Sequence, residues 1–189
     1  KLWNISPSKV HILNMQPPQI VAAWQRGDID AAYVWPPALT EIKKTGTVIT
    51  DSAKIGAKSV PTFDGIVANK SWAAKNPKFM AMFTKVLAKS YSDFNANSAK
   101  MTADSPDIKG IVKMLGGKPD DILTALKLLI FPDAKEQASK TWLGGGKEAG
   151  AARAFTASAK FLKDQRQIDE PLDDYAPYVN GSYAEAAAK

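Results

Sequence analysis

Three side chains of this 189-residue sequence combine a reactive or recognising group with a position at the edge of an expected element: Trp35, Asp64 and Trp142. Asp64 stands in T-F-D-G-I-V, early in a run that reads as a strand. A carboxylate there is costly to bury unless it meets a cation or hydrogen-bond donors. It is either an acid that faces a ligand or a strand-end acid held by backbone amides or a lysine. Trp35 follows the apolar run Ile29–Val34 and precedes Pro36-Pro37. In open α/β sheets, ligands sit beyond the carboxyl ends of the strands. Its ring is therefore a candidate ligand wall, with a core tryptophan as the competing reading. Trp142, in K-T-W-L-G-G-G, sits at an expected helix end. It could close over a cleft, although packing at the helix end is slightly favoured. Tyr33 reads as core, and Trp24 and Trp72 as packing.

The remaining composition argues for binding rather than catalysis. With one histidine and no cysteine, a zinc or iron–sulfur site is excluded and no cofactor is implied. His11 has no serine or cysteine partner in a recognisable motif, so no nucleophile–base pair can be built. Asp120-Asp121 and Asp173-Asp174 fall at helix starts or loops, where acids cap or stay solvated. Gly144-Gly145-Gly146 lacks the order of a phosphate loop and follows a helix, so it reads as a flexible turn. A net charge of +6 is spread among interleaved acids, unlike the clustered stripe of a nucleic-acid binder. No apolar run reaches the length of a membrane span.

These residues must be held by elements legible from spacing and punctuation. Pro17-Pro18 opens a helix whose apolar face is Ile20, Val21 and Trp24, and Gly27 ends it. Ile29–Val34, Thr47–Thr50 and Thr62–Ala68 read as strands, with Val10–Met15 as a further one. A helix from Pro37 to Lys44 makes 29–50 a β-α-β unit, and residues 51–61 a loop. Gly65 interrupts its strand where a side chain would crowd a neighbour. Ser71 caps a helix from Trp72. Asn76-Pro77 starts a long helix, with Phe79, Phe83, Val86, Leu87, Tyr91 and Phe94 as a core stripe. Ser105-Pro106-Asp107, Pro119-Asp120-Asp121 and Pro132-Asp133 open three more helices, the last through Trp142. Lys147–Gln167 is an alanine-rich helix. Residues 168–181 form a loop packed by aromatics, and Ser182 caps a last short helix. The expected fold class is α/β, with a composition shift near residue 97 toward helix.

The run P-P-Q-I-V-A-A-W-Q-R-G-D-I-D-A-A-Y-V-W-P-P-A-L at 17–39 carries a resemblance. So do F-D-G-I-V-A-N-K at 63–70, N-P-K-F at 76–79, L-G-G-K-P-D-D-I at 115–122 and F-P-D-A-K-E-Q-A-S-K-T-W-L-G-G-G at 131–146. In this order they resemble the sulfonate/nitrate/thiamine-precursor group of periplasmic solute-binding proteins of bacterial ABC importers. The resemblance covers nearly the whole chain. It implies a type II periplasmic-binding-protein fold, with 1–96 as the α/β part of the second lobe. Residues 97–189 would be helices returning to the first lobe, whose amino-terminal part would be absent. It further implies capture of a small organosulfonate, taurine first, by a monomer that docks to a membrane permease. Alkanesulfonate and nitrate are alternatives within the group. Asp64 would then receive an ammonium, Trp35 would pack on the ligand's carbon chain, and Trp142 would close over it.

A sulfonate needs amide donors or an arginine fork. Arg26, Arg153 and Arg166 are the only arginines, and none has a convincing position, so the main sulfonate donors are expected outside this chain. The sequence begins at Lys1 without a signal-peptide pattern, and the resemblance implies an exported, periplasmic protein. Two other classes compete. An effector-sensing domain of a transcription regulator would need a fused helix-turn-helix, and none is visible. An enzyme of the thiamine-pyrimidine branch would need a His- and Cys-bearing site.

Overall fold

The computed structural model describes residues 5–59 and 61–189. The expected lead-in over 1–16 therefore loses residues 1–4, and the expected loop over 51–61 loses Val60, as lying outside the described residues. The helices are α1 (Pro17–Arg26), α2 (Ala38–Ile42), α3 (Ser52–Gly56), α4 (Lys70–Lys75), α5 (Pro77–Asn97), α6 (Pro106–Leu115), α7 (Pro119–Lys127), α8 (Ala134–Ala138), α9 (Gly150–Asp164) and α10 (Ser182–Ala187). Short 3-10 turns stand at Pro7–Lys9, Ser98–Lys100, Gly146–Glu148 and Ala176–Tyr178.

The α/β expectation is overturned: no strand forms among the described residues. Val10–Met15, Ile29–Val34, Thr47–Thr50 and Thr62–Ala68 have apolar, β-favouring side chains, yet none makes a backbone–backbone hydrogen bond to another described segment. A strand exists only through a ladder, whereas a helix closes its own bonds. Their apolar side chains stay in solvent, with Ile49 85% and Val67 91% exposed.

Helix starts follow the punctuation more closely. Proline occupies the first turn of α1, α5, α6 and α7, where its missing N–H costs nothing. Gly27 ends α1 in the left-handed region at φ 77°. Asp133 caps α8 by accepting from the Glu136 N–H at 2.7 Å, but α8 stops at Ala138 rather than running to Trp142. Four details differ from expectation, the first being that Ser182 opens α10 with Gly181 at the N-cap instead of capping it. Asp51 caps a short α3 inside the expected loop, accepting from the Lys54 N–H at 2.9 Å. Asn69, not Ser71, caps α4. The Ser105 hydroxyl accepts from the Thr102 N–H instead of capping α6.

The chain divides into two compact units. One runs to Val48 and resumes over Thr102–Leu129. Within it α1 packs on α2 and α6 on α7, around Ala23, Ala38, Ile42 and the fully buried Ile108. The Trp24 indole N–H donates to Thr45 Oγ1 at 2.9 Å.

The other unit comprises Ile49–Met101 and Ile130–Lys189. Here α10 packs against α5 and α8, and the core is built of small side chains, including Ala149, Ala151, Ala152, Ala154, Ala159 and Ala184. The stripe on α5 is not uniformly core. Tyr91 and Phe94 pack edge-on against Phe131 with centroids at 5.0 and 4.7 Å, but Phe79, Phe83 and Val86 are exposed.

Between α8 and α9 the chain is tied tightly. The N–H groups of Trp142 and Gly144 both donate to the Ser139 carbonyl, that of Gly150 to Lys140, and that of Ala151 to the Trp142 carbonyl. The glycines are required by this closeness: a Cβ on Gly144 would lie 2.0 Å from the Ala138 carbonyl oxygen, and one on Gly150 1.8 Å from that of Thr141. Lys147 adds an ion pair to Asp174 at 3.2 Å.

Two predictions follow from this packing. Gly150→Ala should lower stability by about 1–3 kcal/mol. Gly110→Ala, in α6 with open space around the position, should raise it by about 0.5–1 kcal/mol. Thermal unfolding of both variants checks this, and equal effects at the two sites would refute the close-approach account. The second prediction concerns pH. The Ala176 N–H donates to the Asp174 carboxylate at 2.9 Å, and this bond, then Lys147, holds its pKa below the usual carboxylate value. A pKa depressed on folding gives stability that is complete above the unfolded value near ~4 and is lost as pH falls through the folded value. Asp174→Asn should therefore unfold at a lower temperature than the parent at pH 7, with the gap narrowing below about pH 4. A gap independent of pH would sink the assignment.

Candidate functional site

The region of most chemical interest lies in the second unit, where the bonded loop 139–150 presents Trp142. Its ring meets Phe63 edge-on, with centroids 6.1 Å apart and planes at 71°. Phe63 also meets Phe155 of α9 edge-on at 5.5 Å, and Phe155 lies 6.2 Å from Tyr175, tilted by 39°. Edge-to-face contacts of this spacing are the favoured aromatic geometry. Four rings from four separate stretches thus form one cluster.

Asp64 follows Phe63 in the chain. The Phe63 ring lies over Gly65, 3.7 Å from where a Cβ would be. At 3.7 Å that Cβ would make ordinary contact, so the crowding expected at Gly65 is absent. Asp64 is exposed and has no hydrogen bond or ion pair among the described residues. It is a free carboxylate beside an aromatic anchor, not a strand-end acid bonded to amides or a lysine.

Trp142 departs differently from its two readings. Its main chain is fixed by the loop, but its Nε1–H is buried and has no acceptor among the described residues. Trp35 belongs to the first unit. Its ring is 62% exposed, so it is not a core tryptophan there, and its carbonyl accepts from the Leu39 N–H at 3.0 Å. The structure therefore links Asp64 to Trp142 through Phe63 within one unit. The partners missed in the sequence are Phe63, Phe155 and Tyr175. The adjacency of Phe63 to Asp64 was the available signal for the first, and the aromatic packing expected over 168–181 for the last.

No three His, Cys, Asp or Glu side chains gather to hold a metal among the described residues. His11 is exposed. These residue types suit recognition rather than chemistry, since small-ligand clefts combine apolar rings with a few polar groups. Among the described residues no helix is long and apolar enough to cross a membrane.

Comparison with known proteins gives this chemistry a family. Residues 5–114 match the model of the substrate binding domain of the ABC-type glycine betaine transport system. Over 185 residues, 98% of this chain and 56% of the relative, the sequence is 32% identical to the taurine-binding periplasmic protein of Escherichia coli (strain K12). The chain thus spans little more than half the length of that relative. The match to the family model covers more than half of the chain, and the chain belongs to this family of ABC-transport substrate-binding domains, a family of binding proteins and not of enzymes.

Proposed function

We propose that this chain forms part of a periplasmic solute-binding protein that captures a small organosulfonate, taurine first, and delivers it to the permease of an ABC importer. The observation that carries the reading is the 32% identity to a taurine-binding periplasmic protein across 98% of the chain. The state of Asp64 supports it. An exposed carboxylate without a partner is ready to receive an ammonium group, and taurine carries an ammonium and a sulfonate on a two-carbon stem. No covalent step is required of any residue.

Three other ligands are weighed against the same features. An alkanesulfonate or nitrate lacks the ammonium and leaves Asp64 without a role. Glycine betaine carries a quaternary ammonium, which is recognised by aromatic faces set around a cation. The Phe63, Trp142, Phe155 and Tyr175 rings instead pack on one another at 5.5–6.2 Å.

Calorimetric titration of the full-length protein with taurine, an alkanesulfonate, nitrate and glycine betaine tests the reading. Taurine should bind most tightly. Asp64→Asn should weaken taurine about tenfold or more, since a hydrogen bond to a charged group contributes roughly 1.5–3 kcal/mol. It should leave alkanesulfonate binding unchanged. Equal taurine affinity in parent and variant would remove Asp64 from the site, and tighter betaine binding would replace the ligand class.

A further inference from the structure

Among the described residues, one buried side-chain polar atom lacks a hydrogen-bond partner: Nε1 of Trp142. Buried polar groups in native proteins are nearly always satisfied, and leaving one unmade carries its full desolvation penalty. The indole nitrogen is a donor only, so what it lacks is an acceptor. Phe63 packs against this indole with the ring planes at 71° and, as a hydrocarbon ring, offers no lone-pair acceptor. A buried N–H with no acceptor among the described residues is poised for one that arrives from outside.

The two sides of the contact differ in how firmly they are held. Trp142 donates to Ser139 and accepts from Ala151 through its main chain, and Gly144 and Gly150 pack its loop against neighbouring carbonyls. Segment 62–68, which carries Phe63, has no backbone–backbone hydrogen bond among the described residues. Segments without such bonds open at the lowest free-energy cost. When the contact opens, Phe63 yields and the indole stays. The same displacement carries Asp64, one residue on.

We propose that the Trp142 indole N–H is the donor to an oxygen of the ligand's anionic group, reached when the Phe63 ring is displaced. The proposal rests on the sulfonate reading above and adds to it a donor within this chain. An anionic oxygen is the acceptor that gains most from a buried N–H, because the bond is charge-assisted. Asp64 and Trp142 then take the opposite charges of one small zwitterion.

The test uses the full-length protein with 3-benzothienylalanine at position 142, which keeps the bicyclic shape and replaces N–H by sulfur. Taurine affinity should fall about tenfold or more, while the melting temperature without ligand stays unchanged, because the N–H has no internal partner to lose. In the parent protein labelled with 15N-tryptophan, the Trp142 indole proton should move downfield on adding taurine. Phe63→Ala should speed exchange of that proton with solvent in the ligand-free protein. Unchanged taurine affinity in the sulfur analogue overturns the donor role, as does a lowered ligand-free melting temperature with affinity intact. Unchanged exchange in Phe63→Ala overturns the covering role of Phe63. If the parent binds no sulfonate at all, the sulfonate reading itself fails and the donor role falls with it, an outcome distinct from failure of the analogue alone.

Discussion

A backbone N–H or C=O removed from water must find a partner, and a helix finds one within itself while a strand must borrow one from a neighbour. That constraint decides what this chain builds. From Pro17 to Ala187 every regular element among the described residues is helical. The stretches richest in β-branched and aromatic side chains remain without a ladder. Their exposed apolar side chains, such as Ile49 and Val67, are the cost of that outcome. The buried core is correspondingly light. It is made mostly of alanine, with Ile108 the largest side chain fully withdrawn from solvent. Cores of small residues bring backbones close, and close backbones bond well. This is the condition met at the loop before α9, where glycines stand against carbonyl oxygens.

One side chain departs from the same rule. The loop satisfies the main chain around Trp142 almost completely, yet leaves its indole N–H without an acceptor. Among the described residues it is the one buried side-chain polar atom without a partner, and the exposed Asp64 carboxylate likewise makes no hydrogen bond or ion pair with a described residue. The ion pairs do not share this character. They are surface pairs such as Lys89–Asp93 and Lys163–Glu170, screened by water and worth little to stability.

What could be read in advance depended on how local the physics was. Proline in the first turn, Gly27 in the left-handed region and the Asp133 cap each act over three or four residues, and the helix starts of α1, α5, α6, α7 and α8 were legible from them. The strands were not. Ile29–Val34 has the right composition, but β-propensity measures fit to a partner surface, and a run of residues says nothing about whether that partner is at hand. The end of α8 failed for a related reason. Apolar periodicity continues to Trp142, but the Ser139 carbonyl is taken by the turn. The α5 stripe shows the same limit, since spacing identified its apolar face but not that Phe79 and Val86 would go uncovered. Of the site, the residue types were legible and their assembly was not. Asp64 and Trp142 stood out as an acid and an indole at element edges, whereas their connection through Phe63 and Phe155 spans some ninety residues of sequence and exists only in the fold.

The family and the geometry constrain one another. Membership among ABC-transport substrate-binding domains sets the task as reversible capture. Reversible capture requires groups that bind without reacting, and it requires that affinity not be spent on reorganising a rigid pocket. The second unit meets both conditions. Its polar groups of interest are a carboxylate and an indole, neither of which is activated by a neighbouring base. Its rigidity is divided, with the donor anchored in a bonded loop and the acid carried on a segment without backbone–backbone hydrogen bonds among the described residues. On the reading proposed above, an anchored donor would fix where the anionic end of a ligand rests, and an acid on a yielding segment would adapt to where its cationic end falls. Selection among zwitterions then depends on the distance between the two charges, which a fixed pair would impose and a half-fixed pair tolerates over a short range.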